Sequence, residues 1–433
     1  MRKVLCVLLS CVATSISVMA AELSFDGLKL PVYKETPATS TGLDAVYVVN
    51  GVVGVSATYK SSTGNQSVKW YRFSKLGGGY AEEITDISHN GDLTILSKVE
   101  PDMGYIVEDG TQRSYYWIVD YSNCILSLDA VTFSSDAECD MMMLDLTGTG
   151  ADLAYYTING QRKVLDRELT VSYSSLQWNE EGRVYESVQV DKSFESFKSS
   201  ISVQVPLCNT TFYVSGDKYL RYWDEEVSAE SDLYVTQAVE VKGYATQQNV
   251  TDDSQGTLGG SAPAVIDFEA YVTDAVVFKE WQIASDSEFE NILYRYSEES
   301  IQYTFNEAGT FYVQFTGANA DGTCNSTSEV FEVSIGESRL ECPNAFSPLS
   351  DVDDSKVWRV TYKSIVDFKC HIFNRYGMEI FSFTDPSQCW DGKYKGKYVD
   401  AGVYFYVIQA RGADGKNYKL KGDINIINLK DNK

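Results

Sequence analysis

Only two histidines and eight prolines occur in the 433-residue sequence, and none of its nine cysteines forms a Cys-x-x-Cys pair. A Ser-His-Asp or Cys-His machine would have to use His89 or His371, and neither neighbourhood offers a nucleophile elbow or a Cys-Gly signature. Zinc hydrolysis needs more clustered nitrogen and sulfur ligands than are present. The glycine stretch "LGGGY" at residues 76–80 lacks the Lys and the following helix of a phosphate-cradling loop. Past the first twenty residues no apolar run approaches the roughly 18 residues that a membrane helix needs, so no membrane-spanning segment is expected. Abundant Asp and Glu keep a carboxylate-only hydrolase open as a class, yet no pair stands out from an acidic surface. No catalytic residue and no cofactor are therefore assigned.

The start of the chain has the form of an export leader. Arg2 and Lys3 precede an apolar run over residues 4–18, and Ala20 and Ala21 suit cleavage, which makes residues 1–20 a signal peptide. Acylation at Cys11 would leave an apolar core of only residues 4–9, shorter than such leaders need. About 413 residues then remain, enough for three or four domains of ordinary size.

Charge is unevenly spread. Lys and Arg number 36 against 61 Asp and Glu. From Cys342 onward there are fourteen basic and eleven acidic residues, a net of plus three. The stretch between the leader and Cys342 carries twenty against fifty, a net of minus thirty. An acidic body of this kind repels phosphate and excludes nucleic acid as a partner. Seven cysteines follow the leader, too few and too scattered for a disulfide-built miniature. Proximity near the tail points to bridges Cys324–Cys342 and Cys370–Cys389.

Strand formers dominate over any sustained helical period, and short apolar runs recur with turns between them, so the fold class is all-β. The first unit, residues 21–130, carries "AVYVVNG", "SVKWYRFS", "GYIVEDG" and "SYYWIVDYS". It resembles an immunoglobulin-like β-sandwich, with Trp70 at the core position of the third strand and "PDMGYIV" near the tyrosine corner. It lacks one residue between Gly104 and Tyr105 and the bridging cysteine of the second strand. A second sandwich of similar size is expected over residues 131–246, where Asn159-Gly160 marks a hairpin. Met141, Met142 and Met143 lie in a strand and alternate between faces, so they cannot converge on one ion. Residues 247–262 are polar and Gly-rich and read as a linker. Residues 263–338 resemble a polycystic-kidney-disease-type module, through Tyr303-Thr304-Phe305, Ala308-Gly309-Thr310-Phe311-Tyr312-Val313 and the sequence Trp281 to Asp286. Phe311 and Val313 are expected to face its core.

Residues 342–433 carry the most specific pattern. "PNAFSP" at residues 343–348, Trp358, "IFNRYG" at 372–377, "WDGKYKGKYVDAGVYFYVI" at 390–408 and "KGDINII" at 421–427 stand in order. Together they resemble the gliding-motility-associated C-terminal domain, the type B sorting domain of the type IX secretion system of Bacteroidetes. On that resemblance the motif residues are Pro343, Asn344, Phe346, Pro348, Trp358, Phe373, Asn374, Arg375, Gly377, Trp390, Asp391, Gly392, Gly396, Gly402, Tyr404, Gly422 and Asp423. It implies delivery through the periplasm to the cell surface or medium, with an outer-membrane translocon as partner. In the family a Gly-rich acidic loop follows "PNAFSP"; here the loop keeps Asp351, Asp353 and Asp354 without the glycines. These three are a candidate calcium site, although an exposed acidic turn without its glycine is more often only solvated. Tyr404, Tyr406 and Ile408 alternate with Val403, Phe405 and Val407, so both faces of this strand are apolar and it is expected between two layers.

With no catalytic constellation, the remaining asset is surface. Tyr-rich strands suit recognition of an unknown glycan or protein ligand, because Tyr brings a large amphipathic contact area at low entropic cost. The reading is an exported, non-enzymatic binding or adhesion protein; an accessory part of the secretion or gliding apparatus and an unrecognised hydrolase are the alternatives.

Overall fold

A computed structural model describes residues 22–62, 64, 67–133, 139–248, 257–350 and 352–427. The leader, Asp351 and the Asp354 side chain lie outside the described residues. The architecture is all-β, a chain of stacked sandwiches with a single one-turn α-helix, Lys218–Tyr222, among the described residues.

The first unit pairs a four-stranded sheet with a six-stranded one. In the larger sheet, Ala45–Val49 runs parallel to Gln112–Asp120 and all five of its residues are buried. Alternation explains why. Ala45, Tyr47 and Val49 pack with Trp70, Tyr105 and Ile118 against the smaller sheet. Val46 and Val48 point the other way and pack with Trp117 and Val119 against the second unit. Trp70 is wholly buried, and the Tyr105 hydroxyl accepts the Glu100 backbone N–H at 2.8 Å, which ties the corner.

In the second unit, the three strands Ser127–Phe133, Met141–Thr149 and Ser200–Gln204 face a four-stranded sheet. Met142 is buried while Met141 and Met143 are exposed, the alternation of an ordinary strand. The hairpin at Asn159-Gly160 forms with a three-residue loop, and its tip docks on the first unit. Gly78 N–H donates to Ile158 O at 2.8 Å and Ile158 N–H to Thr41 O at 3.1 Å. The first of the "LGGGY" glycines is thereby explained: Gly77 has φ of 91°, and a Cβ there would stand 2.7 Å from Ile158 O. Beneath this joint the Arg167 guanidinium is fully buried, 2.8 Å from Asp217. It also donates to Ala151 O and Cys124 O, and Asp217 accepts the Tyr121 hydroxyl and caps the helix.

The third unit begins earlier than composition suggests. Val241–Gln247 pairs along its full length with Ala264–Val272, so this strand belongs to the third sandwich and not to the end of the second. Within the expected linker, Leu258–Gly260 is a parallel edge strand beside Phe331–Ile335. Its glycines hide it from a propensity reading, yet a Cβ at Gly259 would stand 2.3 Å from Ser334 O. Val313 is fully buried, whereas Phe311 is only half-buried, edging Phe305 at 5.2 Å.

In the terminal unit five strands lie in the order Ala345–Phe346, Asn417–Ile426, Gly402–Gly412, Ile365–Phe373 and Glu379–Phe383. The core sits on one face, where Trp358 and Trp390 are wholly buried with Cys370, Ile372, Ile408 and Ile424. On the other face Val403, Phe405 and Val407 are 45%, 44% and 41% exposed, so the expected second covering layer is not there among the described residues.

Candidate functional site

The motif residues of the terminal unit converge on structural tasks. Trp358 and Trp390 exchange backbone hydrogen bonds at 2.8 and 2.9 Å, and their indole N–H groups donate to Pro343 O and Lys393 O. Asp391 accepts the Lys393 backbone N–H at 3.1 Å and its ammonium at 2.8 Å, fixing the turn after Trp390. Gly392 has φ of 78° and a Cβ there would meet Pro348 at 2.6 Å, which accounts for both residues at once. Phe346 lies 5.4 Å from the Trp390 ring, and Asn344 O accepts the Asn425 N–H. Asn374 accepts from the N–H groups of Tyr376 and Met378, and Gly377 sits at φ 79°, which makes the hairpin that returns Glu379–Phe383. Arg375 stacks over Tyr376 at 4.9 Å. Gly396 turns a small hairpin, Gly402 opens the long strand, and the Tyr404 hydroxyl donates to Asp400 O at 2.9 Å. A Cβ at Gly422 would meet the Tyr406 hydroxyl at 2.7 Å and its ring at 2.8 Å. Asp423 accepts the Asn425 amide at 2.8 Å, and Phe373 is paired with Phe405 on the open face.

Around the candidate calcium loop, Asp353 is held by the Lys356 ammonium at 2.5 Å, which keeps its carboxyl below the ordinary range. Among the described residues no group of three His, Cys, Asp or Glu is placed to share a metal. His89 is exposed within the strand Ile87–Asn90. His371 Nδ1 stands 2.9 Å from Glu379 in the terminal sheet.

The cysteines pair otherwise than proximity suggests. Cys139 bonds Cys324 across 185 residues, tying the second unit to the third, while Cys342, Cys370 and Cys389 carry free thiols. Nearness along the chain misled because Cys370 points into the terminal core, whereas Cys324 lies in a loop beside Cys139. Burial pushes the Cys370 thiol up to about 12, the opposite of an activated nucleophile.

One concave feature has the chemistry of a binding site. The long hairpin Leu169–Asn179/Val184–Phe194 reaches the third unit, where a cleft of about 640 Å³ is lined by Arg183, Tyr185, Glu269, Tyr271, Asp274, Lys279 and Glu299. That size falls in the range of small-ligand sites. Arg183 bonds Glu269 at 3.2 Å and stacks over Tyr244 at 4.3 Å, and Trp178 packs on Tyr185 and Tyr271. The Tyr244 hydroxyl and the Trp178 indole hold Glu180 below the ordinary carboxylate range. Sequence reasoning missed this grouping, since its aromatics lie on separate units; the turn "NEEGR" before Val184 was the one local signal.

Comparison with known proteins gives the terminal unit an identity. A family model described as the CHU_C Type IX secretion signal domain matches residues 340–426, and a Fibronectin type III domain model matches residues 131–231. No curated protein matches the chain. Among solved structures, a tetra-tandem repeat from the extending region of a large adhesion protein is 13% identical, covering 88% of this chain and 98% of that one, with a TM-score of 0.23. The FN1–FN3 domains of chicken CNTN1 are 10% identical, covering 69% and 98%, at 0.24. The three N-terminal domains of the bacteriophage RB49 outer capsid protein Hoc are also 10% identical, covering 71% and 100%, at 0.24. The terminal unit is thus a type IX sorting signal, which implies engagement with that machinery and export to the cell surface or medium. No helix among the described residues is long and apolar enough to cross a membrane.

Proposed function

We propose that this chain is a non-enzymatic binding or adhesion protein, carried into the periplasm by its leader and across the outer membrane by its terminal unit. Residues 21–130, 131–240 and 241–338 form the working modules, and residues 342–433 the address. The observation that carries the export half is the terminal sheet itself, whose motif residues hold the Trp358–Trp390 core together. For the binding half, the support is the Tyr-lined cleft between the second and third units, open to a glycan or a protein loop.

Removing residues 342–433 is expected to strand the protein in the periplasm, read by surface labelling of intact cells with and without the tail. Arrival of the shortened chain at the surface would sink the export assignment. Glycan and peptide arrays probed with the purified protein are expected to give saturable binding without turnover, and turnover would move the protein to the hydrolases.

A further inference from the structure

The strand Gly402–Gly412 has the composition of one buried on both faces, yet only one face is covered. Tyr404, Tyr406 and Ile408 turn to the core, and Val403, Phe405 and Val407 turn to solvent from the middle of the sheet. Large apolar side chains aligned in this way on an exposed sheet face mark an interaction surface. The register extends the patch. Phe373 pairs with Phe405, while Lys369 and Lys419 flank Gln409 and Lys421 flanks Val407.

The charge on this face is biased. Lys369, Lys419 and Lys421 are exposed and make no ion pair among the described residues. Beside them Arg411 is paired with Asp367 at 2.7 Å, and Glu379 and Asp423 complete a set of four basic groups against three acidic ones. What is left over is positive. The rest of the exported chain carries a net of minus thirty, so a partner with an acidic rim is repelled by the body and drawn to this face. The body does not cover it either. The third unit meets the terminal one at the end of the sheet, where Ala308 N–H donates to Ala413 O and Ser364 bonds Ser261 and Gly336.

We propose that this open face is the surface on which the outer-membrane export machinery grips the chain, through an apolar strip edged with carboxylates. The inference rests on the export reading and names where that reading acts. Its test uses the full chain in the cells that export it, with one variant carrying Phe405→Thr and Val407→Thr and another Lys419→Glu and Lys421→Glu. Thr keeps the strand preference, so the sheet persists. Surface-labelled protein is expected to fall about tenfold or more in each, as for truncated interface anchors, with thermal unfolding unchanged. Normal export of both variants, in cells where the chain lacking 342–433 stays inside, overturns the inference and leaves the export reading standing. Export of the chain lacking 342–433 overturns both. A dimer that these substitutions split without touching export assigns the face to a second copy and equally overturns the inference.

Discussion

The two ends of the molecule are joined in opposite ways. Between the first and second units the apolar core is continuous: Val46, Val48, Phe73 and Trp117 belong to one cluster with Leu126, Val171, Tyr219 and Trp223. Trp223 donates to Pro31 O at 2.7 Å and Lys218 bonds Glu35 at 2.5 Å across the same joint. Between the third and terminal units the contact is a handful of polar bonds around Ser261, Gly336 and Ser364, with Ala413 and Val366 as the apolar part. Domains joined by small polar interfaces move and fold independently, whereas a shared core makes two sandwiches one cooperative body. The front of the chain is built to stay rigid, and the address is built to be handled alone.

Breaking each joint separately sharpens this contrast. The largest effect is expected at the bridge that holds the middle: replacing Cys139 and Cys324 with Ser opens a loop of 185 residues, which chain entropy sets at up to about 5 kcal/mol. Calorimetry is expected to move the melting of the second and third units down and leave the terminal transition in place; an unchanged trace would remove the bridge from the account. Next comes Arg167→Met, which leaves Asp217 buried without its partner and costs about 3–5 kcal/mol. Hydrogen exchange is expected to rise in the first and second units together, and a rise confined to the second would contradict the shared core. The smallest effect concerns Asp286, whose oxygens accept the N–H groups of Glu290, Asn291 and Glu288 and whose carboxyl is thereby held below its ordinary range. Because the folded value is depressed, its contribution is present at neutral pH and vanishes as pH falls through that lowered value. Asp286→Asn is accordingly expected to flatten the acid limb of the third unit's melting curve, and superimposable curves would dismiss the effect.

Local signals were legible and distant ones were not. Trp70, the corner at Tyr105 and the hairpin at Asn159-Gly160 are written within a few residues, and the alternation at Met141–Met143 needs no partner to be read. The Cys139–Cys324 bond depends on how two separate sandwiches stack, which no local pattern encodes. The strand Leu258–Gly260 was lost in a Gly-rich stretch because its edge pairing uses backbone groups and close approach, not side chains. The open face of the terminal sheet misled for the reverse reason. Periodicity reports that both sides of Gly402–Gly412 are apolar and is silent on whether the cover comes from the same molecule. Asn374, Asp391 and Gly392 were found through resemblance, and their turn geometry supplies the reason they recur together.

The last long strand, Asn417–Ile426, does not sit at the margin of the terminal sheet but between Gly402–Gly412 and the short strand Ala345–Phe346. Translation makes the chain in the order it is numbered, so this inner rib appears after both of the strands it joins. A polypeptide broken off anywhere before Asn417 has no middle to its terminal sheet, and Ala345–Phe346 is left without the neighbour it pairs with.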